Sequence, residues 1–174
     1  MGFTGLPGAG VTSVARLMCS EFGALPMSMA SHPRMRLEAE LGVKGYSAEA
    51  GQLLARYRIE RERAEPLCWI RPFHRRLMRT VRMSRPSRLV ITGILTRKEL
   101  FYCKAMGARL IHLAAPETVR RQRIGLRFPT EPTPAHTTLN KLVHVEPGIW
   151  DLIIDTDEPY PEFVHSIRLL LARF

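Results

Sequence analysis

The sequence predicts an α/β fold of three layers, a parallel sheet flanked by helices with a helical insert, and three observations lead to it. Short apolar runs alternate with longer amphipathic stretches along the chain, the pattern of strand–helix units wound around a parallel sheet. The first of these runs enters the glycine-rich turn Gly5-Leu6-Pro7-Gly8-Ala9-Gly10 just ahead of a helical stretch, the placement of an anion-binding loop. From about Pro33 to Arg82 the pattern is wholly helical and poor in strand signals, which marks an insert between two strands.

Taken in order, Met1 to Thr4 is the first strand, and a helix follows from about Thr12 to Phe22. Val14, Leu17 and Met18 face inward there, and Gly23 is its stop. Ala24 to Met29 reads as the second strand. Within the insert, Leu37 and Leu41 share a face, Leu53, Leu54 and Tyr57 begin another helix, and Ile70, Phe73, Leu77 and Val81 mark a third. Arg88 to Gly93 is a buried strand, and Thr96-x-x-Glu99 is a capping box that opens a helix through about Met106. Arg109 to Ala114 is a strand, and Pro116 to about Arg127 is a strongly basic helix. Pro129, Pro132 and Pro134 break the pattern into a loop; Asp151 to Asp155 is the last strand and Tyr160 to Arg173 the closing helix. The expectation is one domain over 1–174, with the helical insert at 33–85 and a lid-like segment at 116–140.

The chain has 174 residues, 45% hydrophobic and 24% charged, enough for a proper core in one domain. No apolar run is long enough to cross a bilayer, and no basic-then-apolar leader opens the sequence. Cys19, Cys68 and Cys103 are odd in number and lack metal-ligand spacing, which suggests a reduced, cytoplasmic setting without a membrane partner. Net charge is +10 and the isoelectric point about 10.4. Either a polyanionic partner, DNA or RNA, explains that excess, or a GC-rich genome does, because arginine codons are GC-rich. The histidines show no triad or metal spacing. The methionines Met27, Met29, Met35 and Met78 read as packing.

The nucleotide-binding pattern G-x-x-x-x-G-K-[ST] fits Gly5 to Thr12 at every defined position except the lysine, which is Val11. Glycines let successive N–H groups point inward at the positive end of a helix. Thr12 can place a hydroxyl on a magnesium ion; Val11 can carry no charge to a phosphate. The lysine normally contacts the β- and γ-phosphates. A lost charge-assisted hydrogen bond is worth about 1.5–3 kcal/mol, so weak ATP and Mg²⁺ binding is expected.

On these residues the chain resembles the P-loop nucleotide kinases, particularly dephospho-CoA kinase-like proteins, their archaeal relatives and the phage deoxynucleoside monophosphate kinases. The similarity runs through Met29-Ala30-Ser31-His32-Pro33-Arg34, Gly51-Gln52-Leu53-Leu54 to Trp69-Ile70, Val90-Ile91-Thr92-Gly93-Ile94, Ala115-Pro116-Glu117-Thr118-Val119-Arg120-Arg121-Gln122-Arg123 and the closing strand, so it covers nearly the whole chain. It implies phosphate binding by Gly5, Gly8, Ala9, Gly10, Val11, Thr12 and Ser13, with Arg120 and Arg123 as lid arginines closing over ATP. It implies substrate contacts from Arg34, Gln52, Arg56 and Trp69, and Thr12 as the metal contact. The family's acids align with Ser31 and Thr92, and an arginine with Leu95. Such hydroxyls hold no cation by charge and accept no proton at neutral pH. Trp69 and Phe73 beside Arg71, Arg75 and Arg76 suit either base stacking or the core. Related proteins carry more residues before the loop, so either the first strand is very short or the start lies upstream.

Three functions are consistent with this reading. One is a pseudokinase that binds nucleotide with weak or absent transfer and can pair with an active partner subunit. The second is an active kinase for a (deoxy)nucleotide or a modified base in DNA. The third is a non-catalytic nucleic-acid-binding or structural subunit. No catalytic residue is assigned.

Overall fold

The computed structural model describes residues 1–43, 48–127, 147–157 and 160–171. Its strands are β1 (Gly2–Gly5), β2 (Leu25–Ser28), β3 (Leu89–Thr92), β4 (Leu110–Ala114) and β5 (Leu152–Asp155). They form one five-stranded sheet in the order β2-β3-β1-β4-β5, parallel at every pairing. The helices are α1 (Val11–Phe22), α2 (Ser31–Leu41), α3 (Ala48–Ala64), α4 (Ile70–Ser84), α5 (Arg97–Ala105), α6 (Glu117–Arg127) and α7 (Tyr160–Leu171). The three-layer α/β expectation holds.

Alternation along the strands sends neighbours to opposite faces. Val90 and Ile111 join Phe3, Val14, Met18 and Ile167 on one side, under α1 and α7. Ile91 and Leu110 join Phe73, Leu77, Leu100 and Cys103 on the other, under α4 and α5. Each fully buried aliphatic or aromatic side chain contributes roughly 1.5–3 kcal/mol, so the two layers hold the short strands without long ladders. A third cluster, Leu37, Leu54, Tyr57 and Trp69, packs the insert against itself.

α2 begins at Ser31, earlier than Pro33, because Pro33 falls in the first turn, where its missing N–H leaves no bond unmade. Four side chains read as inward lie outward instead. Met35 is 66% exposed and Met78 44% exposed, each a helical step of one or two residues off the buried positions Leu37 and Leu77. Leu41 (56%) and Val81 (38%) sit in the last turns of their helices, past the clusters those helices cover. Most of the lid-like segment, 128–140, lies outside the described residues.

Candidate functional site

The glycine-rich loop leaves the C-terminal end of β1, the central strand, where parallel α/β sheets bind ligands. Two of its glycines are required by close approach. A Cβ on Gly5 would lie 2.7 Å from the Leu113 carbonyl of β4. Gly8 has φ +85°, and a Cβ there would lie 2.6 Å from the Arg120 carbonyl of α6. Gly10 has φ +95° with nothing within 4 Å of its Cβ position, so it serves conformation alone.

The first intrahelical bond of α1 runs from Val14 N to Gly10 O (3.0 Å). The N–H groups of Gly10, Val11, Thr12 and Ser13 therefore precede the helical ladder. No side chain caps that end and its first turn contains no acid. The macrodipole adds positive potential at the same place. Ala9 is fully buried and its N–H bonds to Leu6 O (2.9 Å), which closes the turn on itself. Thr12 and Ser13 are exposed. Val11, at the position of the missing lysine, packs partly buried against the Phe3–Ile167 core layer.

The arginines expected to close over ATP donate to backbone carbonyls of the loop. Arg120 is 5% exposed; its Nε donates to Ala115 O (3.1 Å) and its Nη1 to Pro7 O (3.5 Å). Burial lowers the Arg120 pKa, opposed by the Glu117 carboxylate. Arg123 donates from Nη2 to Thr156 O (2.6 Å) and from Nη1 to Gly8 O (3.4 Å). Thr156, just past β5, holds its hydroxyl 3.0 Å from the carbonyls of both Ala9 and Ala114, to either of which it can donate. A threonine directly after the closing strand is the only signal for Thr156 in the sequence.

Ser31 and Thr92, the positions of the family's acids, line one cavity of about 420 Å³ with Ser28, Thr80 and Arg76. Arg76 Nη2 donates to Ser28 O (3.0 Å). Gly93, at φ +69°, admits no side chain because a Cβ would lie 2.7 Å from Ser28 Oγ. The donor set is therefore hydroxyls and a cation. Among the described residues no group of His, Cys, Asp and Glu side chains is placed to hold a metal ion. Thr12 offers a hydroxyl, but the carboxylates that would fix magnesium are missing from these positions, so the residues present fit a phosphate group and do not fit a protein-held Mg²⁺.

The residues expected to contact substrate lie on α2, on α3 and just ahead of α4. Arg34 is half-buried in the first turn of α2. Gln52 is half-buried and Arg56 exposed on α3. Trp69 is 5% exposed in the insert core, with Nε1 donating to Arg58 O (2.9 Å); its rings pack on Tyr57 and His32 rather than on solvent. His32 lines a separate cavity of about 600 Å³ with Cys68, Arg71, His74, Arg75 and Tyr102. Burial lowers the His32 pKa, and Arg36, Arg75 and Arg76 lower it further.

One buried pair escaped the sequence reading. Arg58 and Glu99 are 3% and 1% exposed and form an ion pair. Arg58 Nη1 also donates to Gly93 O (3.1 Å). Glu99 Oε2 accepts from Leu95 N (2.7 Å) and Thr96 N (3.1 Å), completing the capping box. The pair fastens α3 to α5, and the bond to Gly93 O ties Arg58 to the end of β3. An arginine four residues after Leu54, on the apolar stripe of α3, was its one legible trace.

No family model matches the sequence, and no curated protein matches it. Solved structures do. A Thermus thermophilus protein, TT1252, is 23% identical with a TM-score of 0.58, over 99% of this chain and 96% of that one. The tunicamycin resistance protein of Deinococcus radiodurans is 18% identical with a TM-score of 0.58, over 98% and 94%. A shikimate kinase from Acinetobacter baumannii, in complex with shikimate, is 15% identical with a TM-score of 0.57, over 99% and 92%. At these identities the likeness establishes the fold, and that fold is the P-loop kinase fold. No helix among the described residues is long and apolar enough to cross a membrane.

Proposed function

We propose that this chain is a kinase-like nucleotide-binding protein that kept the backbone cradle for phosphate and lost the side chains that drive transfer. The observation that carries this reading is the start of α1, with Gly8 and Gly10 at positive φ, no side-chain cap and no acid in the first turn. Unpaired N–H groups of Gly10 to Ser13 bind an anion without any lysine. Val11 turned onto the core supplies no charge to a transferring group. Ser31 and Thr92 hold no proton acceptor for a substrate hydroxyl. The nucleotide would bring its own magnesium, which supplies charge neutralisation at the phosphates, with Thr12 offering it a hydroxyl. In this proposal the insert at 33–85 is the acceptor side and 116–140 the lid, both within one domain.

The test is calorimetric titration with ATP, with and without Mg²⁺, on wild type and on Gly10→Asp. Asp tolerates the left-handed region and meets nothing at that Cβ position, so the variant keeps the fold while placing a carboxylate in the anion nest. Saturable wild-type binding, abolished by Gly10→Asp in a protein that still unfolds cooperatively despite the strain at that position, is the expected result. Absent binding, or binding indifferent to Gly10→Asp, sinks the proposal. Restoring the lysine with Val11→Lys should tighten ATP binding by roughly ten- to a hundredfold, the equivalent of one charge-assisted hydrogen bond. Wild-type phosphate transfer at about 1–100 s⁻¹, the range of working kinases, would favour the active-kinase reading instead.

A further inference from the structure

We propose that the outer face of α4 is a docking surface for the sugar-phosphate backbone of duplex nucleic acid. Between Glu65 and Glu99 the chain contains no acidic residue, and every charged side chain there is arginine except Lys98. α4 turns that run into a geometry. Phe73 and Leu77 face the sheet, while Arg71, Arg75, Arg79 and Arg82, all exposed, recur at helical spacing on the opposite side. At 1.5 Å per residue the row extends about 17 Å along the helix.

Three of the four arginines in the row are unneutralised among the described residues. Arg75, Arg79 and Arg82 make no hydrogen bond or ion pair among the described residues. Arg71 has one long, exposed contact, 3.4 Å to Glu65. Like charges in such a row repel one another, and a polyanion laid along it removes that repulsion. Guanidinium groups match phosphate through their planar fork. Met78 is the apolar neighbour inside the row, which holds no aromatic ring for an unpaired base to stack on, so a duplex backbone fits better than a single strand. A bilayer fits poorly, because surface helices insert an apolar face and α4 already buries Phe73 and Leu77 in the core.

The experiment is fluorescence polarisation of the full chain with a labelled DNA duplex across a salt series. Four neutralised phosphates give a slope of log K against log salt of about −3.6. In Arg75→Gln/Arg79→Gln/Arg82→Gln the slope should fall to about −1, with unchanged melting temperature and unchanged ATP titration. A variant slope equal to wild type overturns the proposal. So does tighter binding to a single strand or to phosphatidylserine vesicles than to the duplex. Gly10→Asp should leave the duplex titration untouched, which separates failure here from failure of the nucleotide reading.

Discussion

Two sets of arginines in this molecule have opposite fates. Arg120 and Arg123 lie against the glycine-rich loop with their guanidinium groups on the carbonyls of Pro7, Ala115, Gly8 and Thr156. Arg75, Arg79 and Arg82 stand in solvent along α4. The residue type is the same and the neighbours differ. A tight loop and the tip of β5 leave carbonyls without ladder partners, and an arginine alongside satisfies them. Most carbonyls of α4 are taken within the helix, and Arg75, Arg79 and Arg82 find no acceptor among the described residues. Inward arginines build the loop; outward ones leave their charge available to a partner.

The largest expected effect tests the inward side at its most buried point. Arg58→Ala leaves Glu99 charged and unpaired in the interior and should cost about 3–5 kcal/mol in urea denaturation. A loss below about 1 kcal/mol would mean the pair behaves like a surface one. Next come the loop glycines. Gly10→Ala meets only backbone strain, about 1 kcal/mol, whereas Gly8→Ala adds a clash with the Arg120 backbone and should exceed 2 kcal/mol or so. Equal effects would show that α6 is not pressed on the loop. Thr156→Val strips the hydroxyl that faces Ala9 O and Ala114 O and should lose about 1–2 kcal/mol, with weaker ATP binding as the loop loosens.

The outward side should respond least. Arg79→Ala should shift stability by under about 0.5 kcal/mol in either direction. Asp151 offers a comparable surface case. Lys104, at 2.7 Å from both its oxygens, and the Leu110 N–H hold its pKa below the ordinary 3.8. Because the folded value is depressed, its contribution is present above the unfolded pKa and lost as pH falls through the folded one. Asp151→Asn should therefore flatten the acid limb of the stability curve by a few tenths of a kcal/mol, fading at high salt.

Strand and helix placement was legible because it rests on local periodicity. The runs at Val90-Ile91 and Leu110-Ile111 alternate faces as strands must, and Thr96 with Glu99 forms the capping box its spacing announced. The loop was legible from its glycines. Met35 and Met78 were misread because hydrophobicity alone does not say which side of a helix faces the core. Arg58 was passed over because an arginine reads as surface until its partner, 41 residues away in sequence, is seen beside it.

By itself the sequence determined the alternation of elements, the loop with its missing lysine, and the surplus of arginine, since each depends on residue type and near neighbours in the chain. Only the tertiary structure decided which arginines are consumed and which are left over. It also decided that Val11 rests on the core and that Thr156 and Arg123 tie β5 to the loop. Those outcomes turn on which carbonyl or carboxylate lies within hydrogen-bond reach, and folding alone brings groups so far apart in sequence to that distance.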